Sequence, residues 1–446
     1  MSPGRPTVCL VNDSSHNPNW GCRATSRALR WLIAERGAEV VSTLYLEQLQ
    51  ALEPGDRRSW QRWLERLDRF VPQRPIVREV LSRSYDKLRN RLPDVVPDAA
   101  DGLDAAADAM LRGDILGRHL AALAAADAVV INGEGGLYGH QRKGRLMLLL
   151  AYVAKARLGK WVGLVNHTAD LADGRLRGLA ERVYPVLDLV TFREPRSQQA
   201  AASISRGAVV PDAAFRFAPA GRAAWAELAA RPEALGAFPD RADFDPRRDY
   251  VAVGGSALYK AVGRRGPDPG AGLRAALSGL RDAFGQVVLT ASDVPDERVM
   301  RPLAEALELP LLGLATPVQQ AVDVLGNATV YVGGRWHPAI FALSGGTPVV
   351  PLSSNSHKLR GLLDMFELPS GDLDALALEG GADVLVGRAE ALASQGRPLR
   401  ERLAGRSREL AARVGGHLDG LPGAGPGTMT ATAAATTAAT LRDVTP

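Results

Sequence analysis

The sequence predicts an α/β protein of two Rossmann-like domains facing a cleft, and three observations predict it. Short apolar runs alternate with segments of helical spacing, the order expected of βαβ units that feed a largely parallel sheet. The alternation breaks once, over residues 219–248, into a stretch of Ala, Pro, Arg and Asp, and then resumes. A length of 446 residues also exceeds what one hydrophobic core organises, so two domains of roughly 150–220 residues each are expected.

In the first half the strands read PTVCLVND, EVVSTLYL, DAVVING, KWVGLVNH, LDLVTFR and AVVPD. Between them Arg23–Arg36, Gly144–Leu158 and Gly174–Val183 carry helical spacing of Leu, Ala and Arg. Residues 53–118 fit this scheme poorly, with paired charges, several Pro and the anchors Trp60, Trp63 and Phe70; they read as a mostly helical insertion or flap. After the connection, which holds a short helical piece near Trp225–Ala230, the second half supplies DYVAVGG, GQVVLTAS, LPLLGL, ATVYVGG and TPVVPLS. Its helices fall near Ala271–Phe284, Asp296–Leu307, Val318–Leu325 and His357–Phe366. The expected division is therefore residues 1–218, a connection over 219–248, and a second domain over 249–414. A Gly/Pro/Ala/Thr tail over 415–446, almost without large apolar residues, is expected to be disordered. Such a pair of halves is GT-B-like, and ligands of such sheets lie outside the carboxyl ends of the strands.

Composition narrows the function classes. A 46% hydrophobic and 23% charged chain is an ordinary globular protein. The net charge of +5 favours anionic partners such as phosphates, nucleotides or acidic glycans. The Arg residues are scattered and no nucleic-acid module is recognisable, so nucleic acid is not an expected partner. Cys9 and Cys22 are too few for a disulfide framework or a cysteine metal site, and no metal site is expected. MSPGRPTVCLV runs into a strand without a signal-peptide pattern, and no apolar stretch approaches the ~20 residues of a membrane span. The expectation is a cytoplasmic protein with at most peripheral membrane contact and with oligomerisation left open.

Four stretches could carry chemistry. In VGGRWHPAIFALSGGTPVVPLSSNSHKLRGLL, residues 332–363, a strand ends at Gly333 and Gly334, and Arg335 and His337 follow where a helix should start. The next strand ends in Ser353, Ser354, Asn355 and Ser356, and His357 and Lys358 open another helix. Free backbone N–H groups and two basic clusters thus reach one crevice, which suits a phosphate or carboxylate. INGEGGLYGH, residues 131–140, is a Gly-rich turn but not the dinucleotide fingerprint, since Tyr138 stands where the third Gly would fall. Gly135 and Gly136 serve either a tight turn or a ligand, and Glu134 and His140 favour substrate contact. In VNDSSHNPNWGCRAT, residues 11–25, Asp13, His16 and Asn17 sit at a strand's carboxyl end, where Asp13 or Asn19 could equally cap the helix. TFREPRS and PDAAF place Arg193, Glu194, Ser197 and Asp212 at two further strand ends, with Arg193–Asp212 readable as an internal ion pair or as part of a site.

In this order NGEGG, FREPRS, PDAAF and above all RWHPAIFALSGGTPVVPL followed by HK resemble the polysaccharide pyruvyl transferase family, over roughly residues 8–367. The resemblance implies transfer of pyruvate from phosphoenolpyruvate to a sugar as a ketal, in assembling a cell-envelope glycan or its precursor. It implies a donor-binding second domain, with Arg335 and His337 on the donor's phosphate and carboxylate and Lys358 nearby. It implies a saccharide acceptor, lipid-linked or nucleotide-linked; the insertion over residues 53–118 departs from the family pattern and is expected on the acceptor side. Phosphoenolpyruvate is then a donor substrate, and no cofactor is called for. Ketal formation needs an acid, an anion clamp and a base. Arg335 and Lys358 suit the clamp, His337 proton delivery or phosphate neutralisation, and Glu134 or Asp13 the base. Arg335→Ala is expected to abolish donor binding with the fold intact. The chain departs from the family in having Glu134 inside the Gly run. Two other readings stand beside this one: a GT-B-type glycosyltransferase using a nucleotide sugar, and a non-catalytic sugar- or nucleotide-binding regulator.

Overall fold

The computed structural model describes residues 5–46, 94–230, 244–262 and 268–423. The first half builds β1 (Thr7–Val11), α1 (Trp20–Glu35), β2 (Glu39–Leu44), α2 (Leu103–Leu111), α3 (Gly117–Ala124) and β3 (Ala128–Asn132). There follow α4 (Arg142–Tyr152), β4 (Trp161–His167), α5 (Gly174–Val183), β5 (Leu189–Phe192), α6 (Pro195–Ala201) and β6 (Ala208–Val209). β3 reads AVVIN and is buried at every position, as a strand covered on both faces must be. The six strands pair in the order β2-β1-β3-β4-β5-β6, every pair parallel.

After α7 (Arg222–Ala229) the second half builds β7 (Val251–Ser256), α8 (Pro269–Phe284), β8 (Val287–Thr290), α9 (Val294–Leu307), β9 (Leu311–Leu312) and α10 (Val318–Asn327). It continues through β10 (Val330–Gly334), α11 (Trp336–Ser344), β11 (Val349–Pro351), α12 (Lys358–Met365), α13 (Ala382–Ala393) and α14 (Gly396–Arg413). This sheet runs β11-β10-β7-β8-β9, again all parallel. The direction of winding reverses between β1 and β3 in one sheet and between β7 and β10 in the other. At such reversals adjacent loops diverge and leave a crevice beyond the strand ends.

Three apolar clusters hold this together. One covers a face of the first sheet with α2, α4 and α5, and one covers a face of the second sheet with α8, α9 and α13. The third is shared by both halves. Leu10, Ala24, Leu29 and Ile33 of β1 and α1 join Val322, Ile340, Phe341, Leu403 and Leu410 of α10, α11 and α14 in it. At roughly 1.5–3 kcal/mol for each fully buried large apolar side chain, this cluster alone opposes wide separation of the halves.

Two sequence expectations change at their edges. The described part of the insertion, from residue 94 on, is not a detached flap: Leu103, Ala107 and Met110 of α2 are fully buried in the first domain's core. The rest of it, residues 53–93, lies outside the described residues. The tail expected to be disordered from 415 begins as structure. Val414–Leu418 forms a 3₁₀ turn against the first sheet, where His417 is fully buried between Thr191 Oγ1 (2.7 Å) and the Pro211 carbonyl (2.9 Å). A histidine with both ring nitrogens engaged ties the chain down where composition alone signalled release.

Candidate functional site

Buried asparagines set the loops of the first half. Asn12 ends β1 at φ 61°, a left-handed conformation that Asn tolerates better than most residues. Its Nδ2 donates to the carbonyls of Asn132 (2.6 Å) and Glu134 (3.1 Å). Asn166, at φ 59°, donates to Asn132 Oδ1 (3.2 Å) and accepts from the Ala213 N–H (2.9 Å). This fixes the NGEGG loop and the PDAAF turn against each other. Gly135 needs its glycine, since its φ is +69°.

In the second half, α11 starts at the end of β10 with Arg335 as its N-cap residue. Arg335 does not stand free. Its Nε and Nη2 donate to Asp296 Oδ1 (3.0 and 2.8 Å), and its Nη1 donates to Asp293 Oδ2 (3.0 Å). Two of its five N–H groups stay open for a ligand. His337 lies across the domain boundary. Its Nε2 is 3.5 Å from Asp212 Oδ2, and its Nδ1 faces Gly21 of α1 so closely that a Cβ there would lie 1.8 Å away. Asp212 also accepts from Arg193 Nη1 (3.0 Å) and Trp336 Nε1 (2.9 Å), and the Arg193 guanidinium stacks over the Trp336 ring at 4.6 Å.

These groups surround one cavity of about 210 Å³ between the two sheets' carboxyl ends. Its wall takes Asn17, Asn19, Cys22, Glu134, Gly135, Tyr138, Lys143, Thr168 and Arg193 from the first half. The second half gives Ala257, Lys260, Ser292, Asp293, Arg335, Trp336, His337, Pro338, Asn355, Ser356 and Lys358. Five cationic side chains thus meet two carboxylates in the lining, an excess that favours an anion. Arg193 is paired with Asp212, Arg335 with Asp293 and Asp296, and Lys260 approaches Asp293 at 3.8 Å. Among the described residues no carboxylate lies within ion-pair distance of Lys358. Burial, reinforced by the positive charges of Arg193, Arg335 and Lys260, pushes its ammonium down to about 7. Burial alone would raise the Glu134 carboxyl, but the positive charges of His337, Lys143 and Arg193 outweigh it and hold the group ionised below the usual range. Cys22 donates from Sγ to Glu134 Oε2 at 3.6 Å. The wall therefore offers a proton-bearing ammonium poised near neutrality, an ionised carboxylate and a surplus of cations.

The structure brings together Arg335, His337, Lys358, Asn355, Ser356, Glu134, Gly135, Asn17 and Arg193 from the sequence-predicted set. Others lie elsewhere. Asp13 is buried in an ion pair with Arg30 (2.6 Å) and caps its own loop at the Ser15 N–H, so it is no base for a ligand in this cavity. His16 is exposed, edge-on to Tyr45. His140 bridges Asp98 (2.7 Å) and Asp173 (3.2 Å) outside the cavity. His357 reaches 3.4 Å from Glu194 across the domain boundary. Gly333, Gly334 and Gly136 are packing positions: a Cβ at Gly334 would lie 2.8 Å from the Ser353 carbonyl, at Gly333 2.3 Å from the Tyr331 hydroxyl, and at Gly136 2.8 Å from Met147 Cε. Sequence reasoning missed Lys143, Lys260, Asp293 and Gly21. Only Asp293 left a local sign, as an N-cap before VPDE at a strand end.

Comparison with known proteins places this geometry. Among solved structures the fold aligns with the spinosyn rhamnosyltransferase SpnG at 15% identity and a TM-score of 0.50, covering 92% of this chain and 98% of that one. It aligns equally with the S. aureus MnaA–UDP complex at 10% identity and a TM-score of 0.50, covering 92% and 94%. Identities this low speak for the fold alone, which is the two-domain GT-B arrangement of parallel sheets. No curated protein matches the chain. The family model described as Polysaccharide pyruvyl transferase matches residues 55–356, well over half of the chain, and contains the strand ends that supply Glu134, Arg193, Arg335 and His337 to the cavity. On that match, this chain belongs to the polysaccharide pyruvyl transferase family and is a transferase.

Proposed function

We propose that the protein transfers pyruvate from phosphoenolpyruvate to two hydroxyls of a sugar, forming a ketal and releasing inorganic phosphate. The observation that carries the reading is the meeting of Lys358, His337, Arg335 and Arg193 with the ionised carboxylate Glu134 in one cavity of about 210 Å³, whose other carboxylate, Asp293, is engaged by Arg335. That volume lies below the ~300–1,000 Å³ of sites for drug-sized ligands and suits a compact trianion better than a nucleotide sugar. Lys358 and the open N–H groups of Arg335 and Arg193 hold the phosphate and carboxylate. A proton from His337 or Lys358 reaches the methylene carbon, and the positive charge that develops on C2 is met by an acceptor hydroxyl whose proton Glu134 takes. The C2–O bond to phosphate breaks, and the second hydroxyl closes the ketal. Of the two hydroxyl protons, one ends on the new methyl group and the other leaves with the phosphate, so charge and atoms balance.

The test is incubation of the protein with phosphoenolpyruvate and a panel of saccharides carrying adjacent or 1,3-related hydroxyls, free, lipid-linked and nucleotide-linked. Phosphate release that depends on the acceptor, with a product heavier by the pyruvate ketal, supports the reading. Release of a nucleoside diphosphate from a nucleotide sugar supports glycosyl transfer instead, and ligand binding without turnover supports a regulator.

A further inference from the structure

Asp212 is fully buried and is not part of the cavity wall, yet every side-chain donor on it belongs to that wall. Oδ2 accepts from Arg193 Nη1 and Trp336 Nε1 at 3.0 and 2.9 Å and has His337 Nε2 at 3.5 Å, while Oδ1 accepts from the Ala214 N–H at 2.9 Å. Arg193 comes from the first half and Trp336 and His337 from the second, so one carboxylate ties cavity groups from both halves together. The other anchor of Arg193 is Thr168 Oγ1 at 2.9 Å. Beyond Asp212, the carboxylate of Glu134 acts electrostatically on His337, Arg193 shares Asp212 with it, and Gly21 of α1 lies against its other edge.

A buried carboxylate is a costly choice for packing alone, because it must be fully satisfied. Here its satisfaction consists of the groups that face the donor. We propose that Asp212 is a positioning residue of the transferase site: from behind the wall it orients the His337 imidazole and the Arg193 guanidinium. The inference rests on the pyruvyl-transfer reading for its kinetic consequence, though not for its structural one. The ring edge turned to Asp212 faces that carboxylate at 3.5 Å without a formed hydrogen bond, so the orienting influence is electrostatic, as of an outer carboxylate on a working histidine. Arg193, clamped at two nitrogens and stacked on Trp336, presents its remaining N–H groups in one plane.

The experiment compares wild type with Asp212→Asn, which keeps shape and removes the charge, in two independent measurements. Side-chain ¹⁵N spectra, with His337 assigned through His337→Gln, should show the His337 ring signals displaced in Asp212→Asn. Unchanged signals in a folded variant overturn the proposal. In phosphate release from phosphoenolpyruvate, Asp212→Asn should lower kcat by about 100-fold, with KM for the donor changed by less than about fivefold. Added to His337→Gln, it should cost less than about threefold more, since the two residues act as one unit; fully additive losses overturn the proposal as well. If wild type releases no phosphate from phosphoenolpyruvate, it is the pyruvyl-transfer reading that has failed, and the ring signals alone decide the role of Asp212. Should Asp212→Asn not fold, Asp212→Glu, which moves the charge by one methylene, replaces it in the same spectra: displaced His337 signals support the proposal and unmoved ones refute it.

Discussion

Gly21→Ala tests the contact between the halves at the point where the site depends on it. The added Cβ would lie 1.8 Å from His337 Nδ1, 2.3 Å from Cγ and 2.6 Å from Cε1. Non-bonded carbons sit about 3.5–4.0 Å apart, so the ring must retreat by roughly 1.5–2 Å. Its far edge already meets the buried Asp212 at 3.5 Å, which leaves it no room in that direction. Either the ring swings out of the wall or α1 shifts away from α11. Overpacking of this kind costs about 1–3 kcal/mol, and a displacement of about 1 Å in a reacting group can cost roughly 100-fold in rate. Phosphate release should therefore fall by about two orders of magnitude while thermal unfolding moves by only several degrees. Gly174→Ala is the control. A Cβ there meets nothing within 4 Å at the start of α5, and activity and stability should stay at or slightly above wild type. Wild-type turnover in Gly21→Ala, with His337 unmoved in its crystal structure, would refute the reasoning.

Four further outcomes follow from the charges. Lys358 is pushed from 10.5 down to about 7, so the folded state carries a penalty for its charged form that is complete below pH 7 and fades as the pH rises to about 10.5. Lys358→Met should raise stability at pH 6 by up to a few kcal/mol in chemical denaturation while losing donor binding by calorimetry. Burial depresses His417 from 6.5 to about 4, so its contribution to stability is complete above 6.5 and is lost as the pH falls toward 4. The protection of the Val414–Leu418 amides, taken relative to their intrinsic exchange at each pH, should fall as the pH drops across that window, and His417→Gln should flatten the response. Asp296→Asn leaves the buried Arg335 with Asp293 as its main counter-charge and should cost about 3 kcal/mol in urea unfolding. By the same logic Arg335→Ala leaves the buried Asp296 and the partly buried Asp293 without their guanidinium and should lower stability along with binding.

Much of this architecture could be read from the residues in order. The apolar runs chosen as strands, from PTVCLVND to TPVVPLS, each contain a strand of the two sheets, because buried parallel strands need contiguous Val, Ile and Leu. Arg335, His337 and Lys358 were visible because strand ends and helix starts are local signals. Asp13 was misleading for the same reason. It stands at a strand's carboxyl end, but Arg30, one helix away, claims it. Gly21 against His337, Asp293 and Asp296 against Arg335, and His417 against Pro211 are contacts between segments far apart in the chain. Spacing within a segment carries no trace of them. Lys143 looks like any solvated surface lysine until the fold sets it in the cavity wall, and Lys260 reaches that wall while staying largely exposed.

The apolar cluster common to β1, α1, α10, α11 and α14 bears on how the molecule comes apart. Two lobes joined by a bare hinge melt separately and show two calorimetric peaks. Lobes that own one nucleus jointly lose it together, so this chain should give a single heat-absorption peak. Neither lobe expressed by itself should then keep its fold, because each would carry half of that nucleus as raw surface facing water.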